Sequence, residues 1–465
     1  MPTRRDQLQA YQFMMQRVTS ALIVHETDPE VTPLRRGVGA VFAGVMIAVL
    51  VAAGFGVYGV FTGVGGTSWK SDGAVIIERE TGATYVYRSG TLQPALNYAS
   101  ARLLSGESTV TTYRVSGEDL AGLPRKATVG IPGAPQSLPE SDRLTGTPWT
   151  MCSVLSTSSA GTQTTTTTLL VGQDLSGGRA LNDQALLVRD DLDGTNYLLW
   201  NDHRYRITDA NATRSLFGAG VSPVAVGSAW LNGLPAGQDI GAIDVPGRGS
   251  PSALLSGFSV GDIVYYPINQ GLQYYLVRTD GLASLSELQV RILQGQYSVQ
   301  PKQIPASAAN AAPVSTALAP AAGEAAPPTR PPALTSSDTT TLCARTGDAR
   351  TAPVISVGGN NGQLAAGIQT TQQSGAGTKL ADRVLVPPGG VAVVRALPSE
   401  TATAGAYNLV TDLGLRYPVP SAKALEALGY SESQAVDMPA ALVQRIPQGP
   451  TLDFAPAAMP ATPQS

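Results

Sequence analysis

The chain is 465 residues long, carries a formal net charge of −3 and has only 14% charged residues, against ~25% in an ordinary soluble domain. That balance excludes the basic surface a nucleic-acid partner would require. A hydrophobic content of 43% is enough to fill more than one core in a chain of this length.

The first 36 residues contain one amphipathic stretch, residues 5–21. Leu8, Tyr11, Met15, Val18 and Leu22 recur at helical spacing, with Arg4, Arg5 and Arg17 around them. Three basic side chains at about 1 kcal/mol each attract lipid only modestly, which favours a cytoplasmic protein partner over the membrane surface.

Residues 37–61 are uncharged and largely apolar. As a helix they rise about 38 Å at about 1.5 Å per residue, more than the roughly 30 Å of bilayer hydrocarbon. A buried core helix seldom runs this long without a charge. A cleaved signal peptide seldom follows 36 leading residues, and no A-x-A site follows, so the segment reads as an uncleaved anchor. Arg35 and Arg36 abut its start while the far side stays uncharged until Lys70, which places the N-terminus in the cytoplasm and residues beyond about 65 outside. Ala40, Gly44, Ala48, Ala52 and Gly56 recur every four residues, a groove of small side chains into which another helix packs closely.

Beyond the anchor one phrase recurs four times: apolar strand, Gly-containing turn, Tyr-led strand, second turn, short strand, capped helix. The first copy runs through Val75-Ile76-Ile77, Gly82, Tyr85-Val86-Tyr87 and Ser89-Gly90 to a helix behind Asn97. The second uses Leu186-Leu187-Val188, Gly194, Tyr197, Asn201-Asp202 and Asp209; the third Ile263-Val264-Tyr265, Gly271, Tyr274, Asp280-Gly281 and Ser286. A looser fourth uses Val391-Ala392-Val393-Val394, Gly405, Tyr407, residues 412–414 and Ser421. Gly supplies positive φ in hairpin turns, alternating Tyr and aliphatic residues suit a half-buried strand, and Asn, Asp or Ser satisfies free amides at a helix start. Each unit is too small to bury its apolar face alone.

The expected organisation is α+β: one transmembrane helix, then an extracytoplasmic region of four ββ(β)α repeats around a central β-rich domain. The repeats fall at 71–106, 185–218, 262–295 and 391–446. Residues 107–184 and 296–390 supply the two parts of the central domain, and 219–261 is an inter-repeat segment. Residues 306–332, rich in Ala and Pro, read as an exposed semi-extended linker, and 447–465 as a flexible tail.

Cys152 and Cys343, the only cysteines, lie on the external side in the two long inter-repeat stretches. An oxidising compartment favours their pairing, worth at most about 5 kcal/mol for so long a loop; two buried free thiols are the alternative.

No catalytic, cofactor-binding or metal site is read from the motifs. Residues 257–261 match G-x-S-x-G around Ser259, but His203, the one histidine beyond the anchor, precedes the serine, and no alternating strand and helix pattern surrounds it. Ser259 reads as a turn residue. The acidic run 189–194 starts on Arg189 where a calcium loop needs a ligand, and reads as a hairpin turn. Residues 375–379 lack the G-x-x-x-x-G-K-[ST] order that wraps phosphates.

The basic N-terminal stretch, the single span, the phrase Thr128-Val129-Gly130-Ile131-Pro132-Gly133-Ala134-Pro135, the four repeats and the two external cysteines together resemble the EccB family of actinobacterial type VII (ESX) secretion systems, over essentially the whole chain. The resemblance implies a structural subunit of an inner-membrane complex with EccC (a cytoplasmic FtsK/SpoIIIE-type ATPase), EccD, EccE and further EccB copies. It also implies repeats similar to cell-wall-binding modules of a phage lysin, and a disulfide between Cys152 and Cys343. EccB proteins have been described as ATPases, which no P-loop here supports. Nucleotide hydrolysis and cell-wall binding are the alternative functions. No cofactor is implied.

Overall fold

A computed structural model describes residues 3–25, 33–62, 67–319, 325–335 and 339–461. It divides into two parts, 1–70 and 71–465.

In the first part, helix Arg4–Val24 starts where the Asp6 carboxylate accepts from the Thr3 backbone N–H at 2.9 Å and the Thr3 hydroxyl at 2.7 Å. It stops at His25, whose left-handed backbone (φ 60) returns its N–H to Ala21 O. Leu8, Tyr11, Met15, Val18 and Leu22 are all exposed. A second helix, Pro33–Thr62, contains the apolar stretch Gly37–Gly59, none of whose most apolar window is buried. The side chains of Arg35 and Arg36, and residues 63–66 on the far flank, lie outside what the structure describes.

In the second part, four small sheets, each the centre of one repeat unit, share one plan. Each begins with three antiparallel strands: Val75–Glu78, Thr84–Arg88 and Thr91–Ala95; Leu186–Asp190, Asn196–Trp200 and His203–Ile207; Ile263–Ile268, Gly271–Val277 and Leu282–Leu285; Val391–Leu397, Ala406–Thr411 and Arg416–Val419. Ser89-Gly90 and Asn201-Asp202 turn two of these hairpins with positive φ at both positions, the backbone that matches strand twist. A helix follows in each: Tyr98–Ser105, Ala210–Phe217, Glu287–Tyr297 and Ala422–Ala427. Asn97, Asp209, Ser286 and Ser421 accept backbone N–H groups at these helix starts.

Pairing carries every unit further than the periodicity does. After the helix the chain returns as a strand parallel to the first: Thr112–Val115, Val224–Val226, Lys302–Gln303 and Val436–Pro439. A short helix then leads to an extended segment that bridges the third strand, at Leu92 with Arg125, Arg204 with Ala236, Leu282 with Val314 and Arg416 with Gln448. Much of 107–131 and 219–245 therefore belongs to the first two units rather than to a central or inter-repeat region.

The Ala/Pro stretch differs from the expected linker. Ala306–Ala311 is helical, Val314–Ser315 joins the third sheet, and Ala325 bridges Gly237. Ala308, Ala309 and Ala312 pack on Leu255, Val264 and Ile304, so small side chains that look featureless in sequence serve as close-packing surface. Residues 320–324 and 336–338 lie outside the described residues. The tail also differs: helix Phe454–Ala457 starts at Asp453, Leu452 and Ala457 are fully buried, and Met459 O and Ala461 N pair with Gly130 N and Thr128 O. Within the tail, 462–465 lie outside the described residues.

A seven-stranded sheet joins the units, built mainly from Trp149–Thr157, Gln163–Leu170, Thr341–Thr346 and Val354–Val357. One face, with Trp149, Met151, Leu169 and Leu342, shares a core with Val188, Leu199 and Trp230 of the second unit and Val394, Val410 and Met438 of the fourth. The third unit packs on the second through their helices, and the first on the fourth, in two further cores.

Candidate functional site

Three features bear on function: the apolar helix, the central sheet that ties the units, and the motif residues.

Along Pro33–Thr62, Ala40, Gly44, Ala48, Ala52 and Gly56 form one slowly winding stripe, because four residues overshoot a 3.6-residue turn by about 40°. All five are exposed, and a Cβ added at Gly44 or Gly56 would meet nothing within 4 Å. The flanking Val41, Val45, Ile47 and Leu50 are exposed too, an apolar surface suited to hydrocarbon.

Cys152 and Cys343 lie directly opposite each other on adjacent antiparallel strands and form a disulfide; both are buried. The bond closes a sequence separation of 191 residues that contains the whole second and third units. Around it, the Trp230 indole N–H donates to Met151 O at 2.8 Å and Gly227 N–H to Ser153 Oγ at 3.0 Å, tying the second unit to the same strand. On the fourth unit's side, Ala381 N–H donates to Arg445 O. Between the first and fourth units, the buried Arg102 donates Nε–H to Ala427 O at 2.9 Å, at the end of a helix, and the Tyr430 hydroxyl donates to Pro139 O at 2.7 Å.

The motif residues occupy structural positions. Ser259 N–H donates to the Asp262 carboxylate at 2.9 Å in a turn leading into strand Ile263–Ile268. His203 begins a strand of the second unit, its Nδ1 2.7 Å from Asn201 O. In the acidic run, Asp190 and Asp193 accept N–H groups of Leu192 and Thr195, closing the hairpin. Burial raises the Asp190 carboxyl pKa, partly offset by the Leu192 N–H and the Ser228 hydroxyl. Residues 373–379 form a hairpin whose Ser374 and Gly377 N–H groups bond within it, so those amides do not cradle an anion. Among the described residues no cluster of His, Cys, Asp and Glu is arranged to hold a metal.

One repeated element escapes the sequence reading. The N–H groups of Leu92, Arg204, Leu282 and Arg416 donate to Pro124, Pro235, Pro313 and Pro447 carbonyls at 2.9, 3.0, 2.8 and 2.9 Å. An apolar residue before proline at the matching place in each copy is the sequence signal for it.

Residues 1–462 match the family model described as type VII secretion system ESX-1, transport TM domain B. The chain is 30% identical to the ESX-3 secretion system ATPase EccB3 of Mycolicibacterium smegmatis, covering 96% of this chain and 89% of the relative. The EccB3 of Mycobacterium tuberculosis is 29% identical, covering 97% and 88%. Among solved structures, a chain of an intact ESX-5 inner membrane complex is similar with a TM-score of 0.64 at 27% identity, covering 100% of this chain and 96% of that one. A chain of an EccB3 dimer from the ESX-3 core complex gives a TM-score of 0.59 at 28% identity, covering 83% and 99%.

Proposed function

Because the chain belongs to the EccB family of type VII (ESX) secretion systems and is a component of that kind of inner-membrane complex, we propose that it links the membrane core, with EccC-, EccD- and EccE-type subunits, to the extracytoplasmic side. The observation that carries this reading is one apolar helix of spanning length among the described residues, followed by about four hundred residues organised as mutually packed units. The positive flank at Arg35 and Arg36 supports a cytoplasmic N-terminus and an external repeat region. The small-residue stripe on the span supports lateral packing against a neighbouring helix.

Solubilising native membranes in mild detergent and sizing what co-purifies with a tagged copy tests it. The expected result is a particle approaching a megadalton that contains an FtsK/SpoIIIE-type ATPase. A lone or dimeric chain overturns the reading.

The names of the mycobacterial relatives favour a second reading, nucleotide hydrolysis. It requires metal-dependent turnover by the purified chain that persists once co-purifying ATPase subunits are removed; turnover that vanishes on that step dismisses it.

A further inference from the structure

Three arginines gather where the second and fourth units meet over the central sheet. Arg204 and Arg416 hold equivalent places in their units, each donating its backbone N–H to the proline described above, and Arg445 follows the short helix Ala440–Val443. Their side chains find only neutral partners. Arg204 Nε donates to Leu234 O at 3.3 Å, with the guanidinium 5.5 Å from the Tyr197 ring centre. Arg416 donates to Ile446 O at 3.1 Å and Asn408 Oδ1 at 3.4 Å. Arg445, 7% exposed, donates to Ala441 O at 3.0 Å and Lys379 O at 2.8 Å. None of the three forms an ion pair among the described residues. Burial lowers the Arg445 and Arg416 pKa values, and the charges of Arg204 and Arg416 add to the effect on Arg445.

Gathering like charges in a partly desolvated place without a counter-charge is costly, and a carboxylate at position 408 in place of Asn would relieve it. Beside Arg416 lies an open cavity of about 800 Å³. Arg416 is the one charged residue of its lining among the described residues; Gln373, Ser374, Thr378, Gln444 and Gln448 supply amides and hydroxyls, and no carboxylate faces it. Part of the wall is the hairpin 373–379, whose sequence fails as a phosphate loop. The positive charge in the lining comes from Arg416 instead, a side-chain type whose forked donors match oxyanion geometry.

We infer that this cavity binds an oxyanion of the phosphate class, free or carried on a phosphodiester, with Arg416 as its principal contact and the charges of Arg445 and Arg204 behind it. The cavity exceeds a lone phosphate, which leaves room for a carrier group against the neutral polar wall.

The test uses the full chain in detergent, titrated at constant ionic strength with inorganic phosphate or with glycerophosphoglycerol, reading the unfolding midpoint and the 31P linewidth. A saturable rise in midpoint with 31P broadening, absent with chloride, is expected. Arg416→Gln should weaken apparent affinity by at least about tenfold, the scale of one charge-assisted hydrogen bond. Gln444→Glu changes an exposed lining residue and places a carboxylate in the cavity, so it should raise the basal midpoint and abolish the phosphate response. A stronger response to the diester assigns a carried phosphate, and an equal or weaker one a free ion. Absence of a saturable response in the parent chain, or a full response in Gln444→Glu, overturns the inference.

Discussion

Arg395 and Asp437 stand directly opposite each other on the parallel strands that close the fourth unit, joined by two hydrogen bonds of 2.7 and 2.8 Å. The pair fastens the returning strand Val436–Pro439 to the first strand of the sheet, and Arg350 adds a longer contact to the same carboxylate at 3.5 Å. Hydrogen bonding by Arg395 is the main cause that holds the Asp437 pKa below the ordinary carboxylate value.

This pair makes stability depend on pH. A depressed folded pKa contributes stability that is present above the unfolded carboxylate value and lost as pH falls through the folded one. Asp437→Asn should therefore cost about 1–2 kcal/mol near neutrality, a two-pronged pair discounted for its partial exposure. The difference between parent and variant should shrink on acidification below the usual Asp range. Denaturant midpoints across that range check it; a constant difference refutes the assignment.

The Cys152 to Cys343 bond encloses two complete units, so its loss loosens the unfolded chain more than any local contact could. The chain-entropy model assigns a loop of this size at most about 5 kcal/mol. A Cys152→Ser, Cys343→Ser double variant should unfold at a clearly lower denaturant concentration. Because both sulfurs are buried, mild reductant should leave the folded parent unreduced and act only once it unfolds. Thiol alkylation followed by mass spectrometry at graded denaturant would reveal the opposite.

Gly237 and Gly449 occupy matching places after Pro235 and Pro447, and each lies against a ring. A Cβ at Gly237 would collide with Tyr205 Cε1, and one at Gly449 would come within 2.5 Å of Tyr417 Cε1. Both tyrosines are about 1% exposed and leave little room to yield. Alanine at either glycine should destabilise by about 1–3 kcal/mol through overpacking. Thermal melts of the two variants give the answer, and unchanged midpoints would show that the rings move freely.

Replacing Gly44, Ala48 and Ala52 with leucine fills the small-residue stripe without altering the apolar character of the span. The region from residue 71 onward should melt as in the parent while the complex recovered from detergent shrinks. A complex of normal size would remove the stripe from the assembly.

Properties carried by neighbouring residues were legible in the sequence. The uncharged run 37–61 declares an apolar helix wherever it sits, hairpins follow from Ser89-Gly90 and Asn201-Asp202, and Asn97, Asp209, Ser286 and Ser421 mark helix starts, because caps and tight turns are decided within a few residues. What depends on partners distant in the chain became visible only in the folded molecule. Lys302–Gln303 is too short and polar to read as a strand until it pairs beside Val264 and Tyr265. Ala306–Ala311 and Phe454–Ala457 lack any amphipathic pattern and are held by the cores they cover. The meeting of Arg204, Arg416 and Arg445 likewise has no trace in sequence spacing, because it arises where two units dock on one face of the central sheet. Parallel return strands and unit-to-unit packing are set by burial across long separations, which no local pattern encodes.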